Sequence, residues 1–161
     1  MFNLKAEFYL KIIFLFSFIA LISAFFIEYI LGHQPCNLCL IERIPYGLSI
    51  MIIIAIFLIR KNQKFLVMLL ILTFIFSFAI SFYHFGIEQG FFQESSVCGV
   101  KSSTEIVTKE DLLKQLSEKT ISCKDVTFRI FGLSLTSINI VISLLFIITL
   151  LKIFKKYEKN K

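Results

Sequence analysis

Four cysteines, an arginine and a histidine hold most of the chemistry available to this chain. Cys36 and Cys39 stand in Pro35-Cys36-Asn37-Leu38-Cys39. Proline favours the first positions of a helix, so the motif is expected at a helix start. Cysteines three apart there share one face and can be bridged with modest adjustment. The unpaired N–H groups and the dipole at such a start lower a thiol pKa. The thiolate is the nucleophile of disulfide exchange, which makes the pair a redox candidate. Zinc sites and structural bridges use the same spacing. Arg43 follows Cys39 by four residues, one turn further along the same face. A guanidinium there would stabilise a Cys39 thiolate or donate to the oxygens of a bound acceptor. The alternative is a side chain snorkelling to headgroups. A charge several residues into an apolar helix is costly, and this favours the functional role. Glu42 points away from that face and reads as a solvated or paired interface residue.

Cys98 and Cys123 make up the second pair. A bridge closing a loop of about 25 residues would contribute about 3.5 kcal/mol. It would serve either as a staple or as an exchangeable bridge relaying electrons to Cys36–Cys39. Each exchange proceeds through a mixed disulfide, so two bridges near one surface permit such a relay. Four cysteines allow three fully paired connectivities. His84 could donate to an acceptor or shuttle a proton, although a lone histidine at a helix end is more often interfacial. Glu28 has the same bland reading. Either joins the site only if the helices bring it there.

These residues need a scaffold, and composition says what kind. Hydrophobic residues make up 57% of the 161 and charged residues 17%, against about 45–50% and 25% in soluble domains. No soluble core of this size hides so much apolar surface. A span needs about 20 apolar residues, and four runs approach that length: about 12–31, 44–59, 65–85 and 130–151. The expected fold is an all-α membrane protein, a four-helix bundle forming one domain over 1–161. The first run is longer than a secretion-signal core and lacks a small-x-small cleavage pattern, so it reads as a retained helix. The net charge of +6 forms no stripe interleaved with aromatics. The partner it implies is therefore the lipid bilayer and not nucleic acid.

Charge placement gives the orientation. Lys5, Lys11, Arg60, Lys61, Lys64, Lys152, Lys155, Lys156, Lys159 and Lys161 face only Glu7 and Glu158, whereas the other segments are net acidic. The positive-inside rule puts both termini in the cytoplasm. Segments of about 32–43 and 86–129 then lie outside, and they contain all four cysteines. Disulfides persist outside the cytosol, so the cysteines give the same orientation independently. In the longer segment, Thr108-Lys109-Glu110-Asp111 resembles a capping box. Val107 and Leu112 stand at staple positions, and Leu112, Leu113 and Leu116 share a side. A short amphipathic helix on the membrane surface is expected there.

Taken together, these strings resemble the disulfide bond formation protein B (DsbB) family of bacterial inner-membrane quinone reductases. The resemblance covers nearly the whole chain. It rests on Pro35-Cys36-Asn37-Leu38-Cys39, Arg43-Ile44-Pro45-Tyr46, Tyr83-His84 with Gly86 and Glu88, and Phe131-Gly132-Leu133-Ser134 after Cys123. It implies a protein-dithiol:quinone oxidoreductase of the inner membrane with periplasmic cysteines. The implied partners are a DsbA-type periplasmic thiol oxidase and the membrane pool of ubiquinone or menaquinone. The partner would attack Cys98, Cys123 would attack Cys36, and Cys39 would deliver electrons to a quinone beside Arg43. The DsbA–DsbB–quinone system is the known means of keeping the periplasm oxidising, and DsbA sits near −120 mV. Only an acceptor renewed by respiration keeps such a partner oxidised. Phe92 and Phe128 stand where the family often has tryptophan.

Three rivals are weaker. Relatives of vitamin K epoxide reductase place the loop cysteines before the CxxC, and here they follow it. A four-thiolate metal protein would favour two closely spaced pairs. Cys98 and Cys123 are far apart in sequence, so no metal is expected. A purely structural protein with two staples leaves Arg43 and the helix-start CxxC without a role.

Overall fold

The computed structural model describes residues 4–59, 62–93, 98, 122–124, 129–130 and 132–159. Four long helices dominate: α1 (Leu4–Tyr29), α2 (Asn37–Leu58), α3 (Gln63–Glu88) and α4 (Leu135–Lys159). All four are long and apolar enough to cross a bilayer. Even α2, the shortest at 22 residues, rises about 33 Å, more than the roughly 30 Å of hydrocarbon. In lipid an unpaired backbone group costs several kcal/mol, so continuous apolar runs close their hydrogen bonds internally as helices. Pro45 lies inside α2 and has no N–H to offer the carbonyl of Ile41. Membrane helices tolerate such a gap where neighbours cover it, and Pro45 is buried in the bundle.

Helix α3 is central and packs extensively on α4 and on α2. Helix α1 lies on α2 and touches α4 only lightly. It therefore turns Phe8, Leu15, Phe18, Ile22 and Phe26 outward. Such a surface would be an aggregation liability in water, and it suits a hydrocarbon surround. Inside, Leu10, Ile13, Ile53, Ile56, Val67, Leu70, Phe74, Leu150 and Ile153 form one buried apolar cluster. Next to it, fully buried serines sit between the helices. Ser49 Oγ lies 3.1 Å from Ser17 Oγ, and Ser143 Oγ lies 3.1 Å from Ser77 Oγ. Small residues let backbones approach, which is how membrane helices associate.

The helix ends on the cysteine side are set locally. Past α3, Gly90 takes φ +77, and the N–H groups of Phe91 and Phe92 return to the Gly86 carbonyl at 2.8 and 3.1 Å. A Cβ on Gly86 would strike the Phe92 ring, which stacks on Tyr83 at 5.7 Å. Before α4, β1 (Arg129–Ile130) pairs antiparallel with β2 (Leu133–Ser134), Arg129 opposite Ser134, with Gly132 at φ +83 between them. Ser134 Oγ then accepts the Ser137 N–H at 3.2 Å, a helix N-cap. The fourth helix thus starts at Leu135 and not at Ile130, because the beginning of that apolar run is used in the hairpin. Helix α3 continues past Phe85 to Glu88, and α1 begins at Leu4, well before Ile12. The surface helix expected after Thr108 lies outside the described residues, as does Phe128.

Candidate active site

The start of α2 carries the CxxC. Cys36 is its N-cap residue, at φ −71 and ψ 166, and its Sγ accepts the Cys39 N–H at 3.2 Å. Leu40 N–H bonds to the Cys36 carbonyl at 3.2 Å. Sulfur here takes the place that a Ser or Asp oxygen usually holds, and the helix dipole favours negative charge on it. The sulfurs of Cys36 and Cys39 lie 2.6 Å apart. Cys36 is buried, and Cys39 is partly open.

Helix α3 brings His84 to this pair. Its Nε2 lies 3.6 Å from Cys36 Sγ, and the residue is only 2% exposed. The interfacial reading of His84 is therefore replaced by a buried one. The expected third span, about 65–85, already contains His84; the packing of its last turn against the start of α2 is what buries the ring. Cys36 stands just outside α2, and its thiol is held well below the ordinary value, at about 5. A hydrogen bond from Cys39 is the largest cause; burial opposes it, and the hydrogen bond and charge of His84 add to it.

The other ring nitrogen is held as well. His84 Nδ1 donates to Glu42 Oε1 at 2.9 Å. Asn139 Nδ2 donates to Glu42 Oε2 at 3.1 Å and to Ser81 Oγ at 2.7 Å. The Tyr46 hydroxyl donates to Asn139 Oδ1. Thr136 Oγ1 donates to Glu88 Oε1 at 2.6 Å and lies 3.4 Å from His84 Nδ1. Glu42 is thus paired and turned inward, not solvated. A carboxylate–imidazole–thiol sequence results, with Glu42 fixing the tautomer that turns Nε2 toward sulfur. Such a group can hold a proton beside the Cys36 sulfur.

Arg43 lies on a different side of α2. Its Nη1 pairs with Glu28 of α1, and its guanidinium covers the Phe25 ring at 5.2 Å, within cation–π range. Glu28, read from sequence as a bland interfacial residue, is its ion partner. Both side chains are partly exposed, at 17% and 21%.

Cys98 and Cys123 are joined by a disulfide, with Cα atoms 5.6 Å apart. Both are almost fully buried, and they share one cluster with Cys36, Leu38 and Ile87, against which Cys39 and Tyr83 pack. The fold gathers all four cysteines and His84 at one end of the bundle, while Arg43 with Glu28 faces α1. Sequence reasoning gave Glu42 no catalytic part, gave Tyr46 only as part of a family string, and passed over Thr136 and Asn139. Their signal was polar residues at helical spacing within apolar spans: Glu42, Tyr46 and Ser49; Ser77, Ser81, His84 and Glu88; Thr136, Asn139 and Ser143. Residues three and four apart share a face.

The family model described as disulfide bond formation protein DsbB matches residues 6–153. An uncharacterized protein of Rickettsia prowazekii (strain Madrid E) is 32% identical over 147 residues, covering 90% of this chain and 86% of that one.

Proposed function

The chain belongs to the disulfide bond formation protein DsbB family, and from that premise we propose that it reoxidises a DsbA-type periplasmic dithiol protein and passes the electrons to a membrane quinone. It is a multi-pass membrane oxidoreductase of disulfide bond formation. The finer reading rests above all on one observation: Cys36, at a helix start and in contact with Cys39 and His84, shares a buried cluster with the Cys98–Cys123 bridge. The charge distribution argues for cytoplasmic termini and periplasmic cysteines.

The exchange steps balance. A partner thiolate attacks Cys98 Sγ, the Cys98–Cys123 bond breaks, and Cys123 leaves as a thiolate. Cys123 attacks Cys36 in an oxidised Cys36–Cys39 bridge and releases the Cys39 thiolate. The partner's second thiol resolves the mixed disulfide and frees Cys98, which attacks Cys123 and releases Cys36. The partner gains a disulfide, and Cys36 and Cys39 together gain two electrons and two protons. His84 holds a proton beside Cys36, and Glu42 keeps the ring oriented. One turn along α2 from Cys39, Arg43 offers N–H donors beyond the Nη1 contact with Glu28, beside the apolar ring of Phe25, and this pairing of donors with an apolar wall suits a quinone head. When bound, a quinone supplies an acceptor for two electrons and two protons.

The test is quinone reduction by purified protein with a reduced DsbA-type partner, using ubiquinone and menaquinone in turn. Turnover in the parent that vanishes in Cys39→Ser and in Cys98→Ser is expected. A parent inactive with both quinones and several partners would overturn the reading in favour of structural disulfides.

A further inference from the structure

Cys36, Cys39 and His84 offer three ligand atoms that all lie within 4.8 Å of one another. Sequence spacing alone disfavoured a metal because no second ligand pair stands near the CxxC. The fold supplies the missing ligand from α3. We propose that the dithiol form of the protein binds Zn2+ through Cys36 Sγ, Cys39 Sγ and His84 Nε2, and that this binding reversibly holds the protein in its reduced state.

Geometry carries the proposal. Tetrahedral zinc with bonds of about 2.3 Å to sulfur and 2.0–2.1 Å to nitrogen places S and N about 3.6 Å apart and two sulfurs about 3.8 Å apart. Cys36 Sγ and His84 Nε2 already stand 3.6 Å apart. The two sulfurs, now 2.6 Å apart, must separate by about 1 Å, which rotation of the partly open Cys39 side chain can provide. Metal-ligating histidines nearly always donate the other ring N–H to a carboxylate or carbonyl. His84 Nδ1 does so to Glu42 at 2.9 Å, and Asn139 holds that carboxylate at 3.1 Å. The carboxylate that orients a zinc-bound histidine is therefore already in place. Two thiolates also neutralise the cation, which suits a poorly hydrated helix end. Three protein ligands leave one position open to water, as in Cys2His zinc sites.

The site exists in only one redox state. A Cys36–Cys39 disulfide has no thiolate to offer, so the oxidised protein has no site. In the dithiol state Zn2+ displaces any protons on the two sulfurs and on Nε2, and no electrons move. The sulfur lone pairs that would attack a disulfide or reduce an acceptor are then committed to the metal. A zinc-loaded chain would stay reduced until a chelator removes the ion.

The test uses full-length protein carrying Cys98→Ser and Cys123→Ser, so that only Cys36 and Cys39 supply thiols. Reduced, metal-free protein is titrated with Zn2+ against a chromophoric chelator, and Co2+ reports thiolate ligation by its charge-transfer absorption. One Zn2+ per chain is expected in the reduced form and none after oxidation. Cys39→Ser should abolish stoichiometric binding. His84→Ala should weaken it by at least about 10-fold, and Glu42→Gln by about 10–100-fold through loss of the carboxylate that orients His84. Helical circular dichroism matching the parent keeps the comparison valid, and Glu42→Gln provides the milder change should His84→Ala misfold. Absence of stoichiometric binding in the reduced form overturns the proposal. So does binding that neither His84→Ala nor Glu42→Gln alters, which would mean a thiol pair with adventitious metal. Neither quinone nor partner takes part, so this test and that of the electron relay can fail separately.

Discussion

Ile53, Leu70 and Phe74 in one half of the bundle and His84 and Asn139 in the other are buried, with Phe74 at 0% and His84 at 2% exposure, and Glu42 beside His84 is 12% exposed. They hold the same helices together differently. Phe74 and His84 are ten residues apart on α3, about 15 Å along its axis. Around Phe74 the contacts are apolar, including edge-on rings at Phe146 and Tyr46. In lipid such residues gain packing but little from the hydrophobic effect. Around His84 the partners are polar: Cys36 just before α2, Glu42 of α2, Glu88 of α3 and Thr136 of α4. Removing one partner there leaves a buried polar group unsatisfied, which costs more than the bond itself contributed. One half can be altered by volume, and the other only by partner.

The contrast predicts that the polar half loses turnover before it loses stability, and that the apolar half does the reverse. The largest effect should come from Cys36→Ser. Loss of a nucleophile can cost up to about 10⁶-fold elsewhere, so quinone reduction should fall below detection while the melting temperature barely moves. Next is His84→Gln, expected to lower turnover by about 10²–10⁴-fold as a proton-holding group is lost. Its pH signature separates it from a structural effect. The Cys36 thiol of the reduced protein is depressed to about 5 from an ordinary value of about 8.5. The stability this contributes is therefore fully present above the unfolded thiol value and is lost as pH falls through about 5. Alkylation of Cys36 should stay fast down to about pH 5 in the parent, and in His84→Gln its midpoint should move upward. An unmoved midpoint would leave His84 without influence on the thiol. Phe74→Ala should instead lower stability, by less than the about 3–5 kcal/mol of a water-soluble core because little transfer free energy is lost in lipid, with turnover per folded molecule within about twofold of the parent. A large loss of turnover at unchanged stability would erase the distinction between the halves.

How far the sequence alone reaches differs between the halves for the same reason. Apolar runs announce helices, and four such helices are present. Counting apolar residues places the end of a span only roughly, however. It stopped α3 at Phe85, although Glu88 finds a partner in Thr136 inside the bundle and the helix runs on to it. It also missed the hairpin before α4, where Gly132 at φ +83 turns the chain back before Leu135. The start of α2 was legible because proline and the CxxC mark it chemically. Glu42 was visible as off the Cys39 face, but the helix it would meet there is a tertiary fact. The same holds for Arg43, whose pairing with Glu28 depends on α1 packing against α2.

The smallest predicted effect tests whether polarity or size matters where the two halves meet. Ser49 lies seven residues beyond Glu42 on α2 and is fully buried. Its hydroxyl lies 2.8 Å from the Tyr46 carbonyl and 3.1 Å from Ser17 Oγ on α1. A hydroxyl has one proton, so if Ser49 donates to the carbonyl, Ser17 must donate to Ser49 across the interface. Interhelical hydrogen bonds in membranes average about 0.6 kcal/mol. Ser49→Ala keeps the small side chain and should cost about that much, with no change in turnover. Ser49→Leu must fit a large side chain where α1 and α2 approach closely, and overpacking typically costs about 1–3 kcal/mol. Unfolding measured in the same detergent would rank them. If Ala proves as damaging as Leu, the hydroxyl pair belongs functionally with the polar network above it. If Leu is clearly worse, the serine is there for its size, and the polar half ends at Asn139.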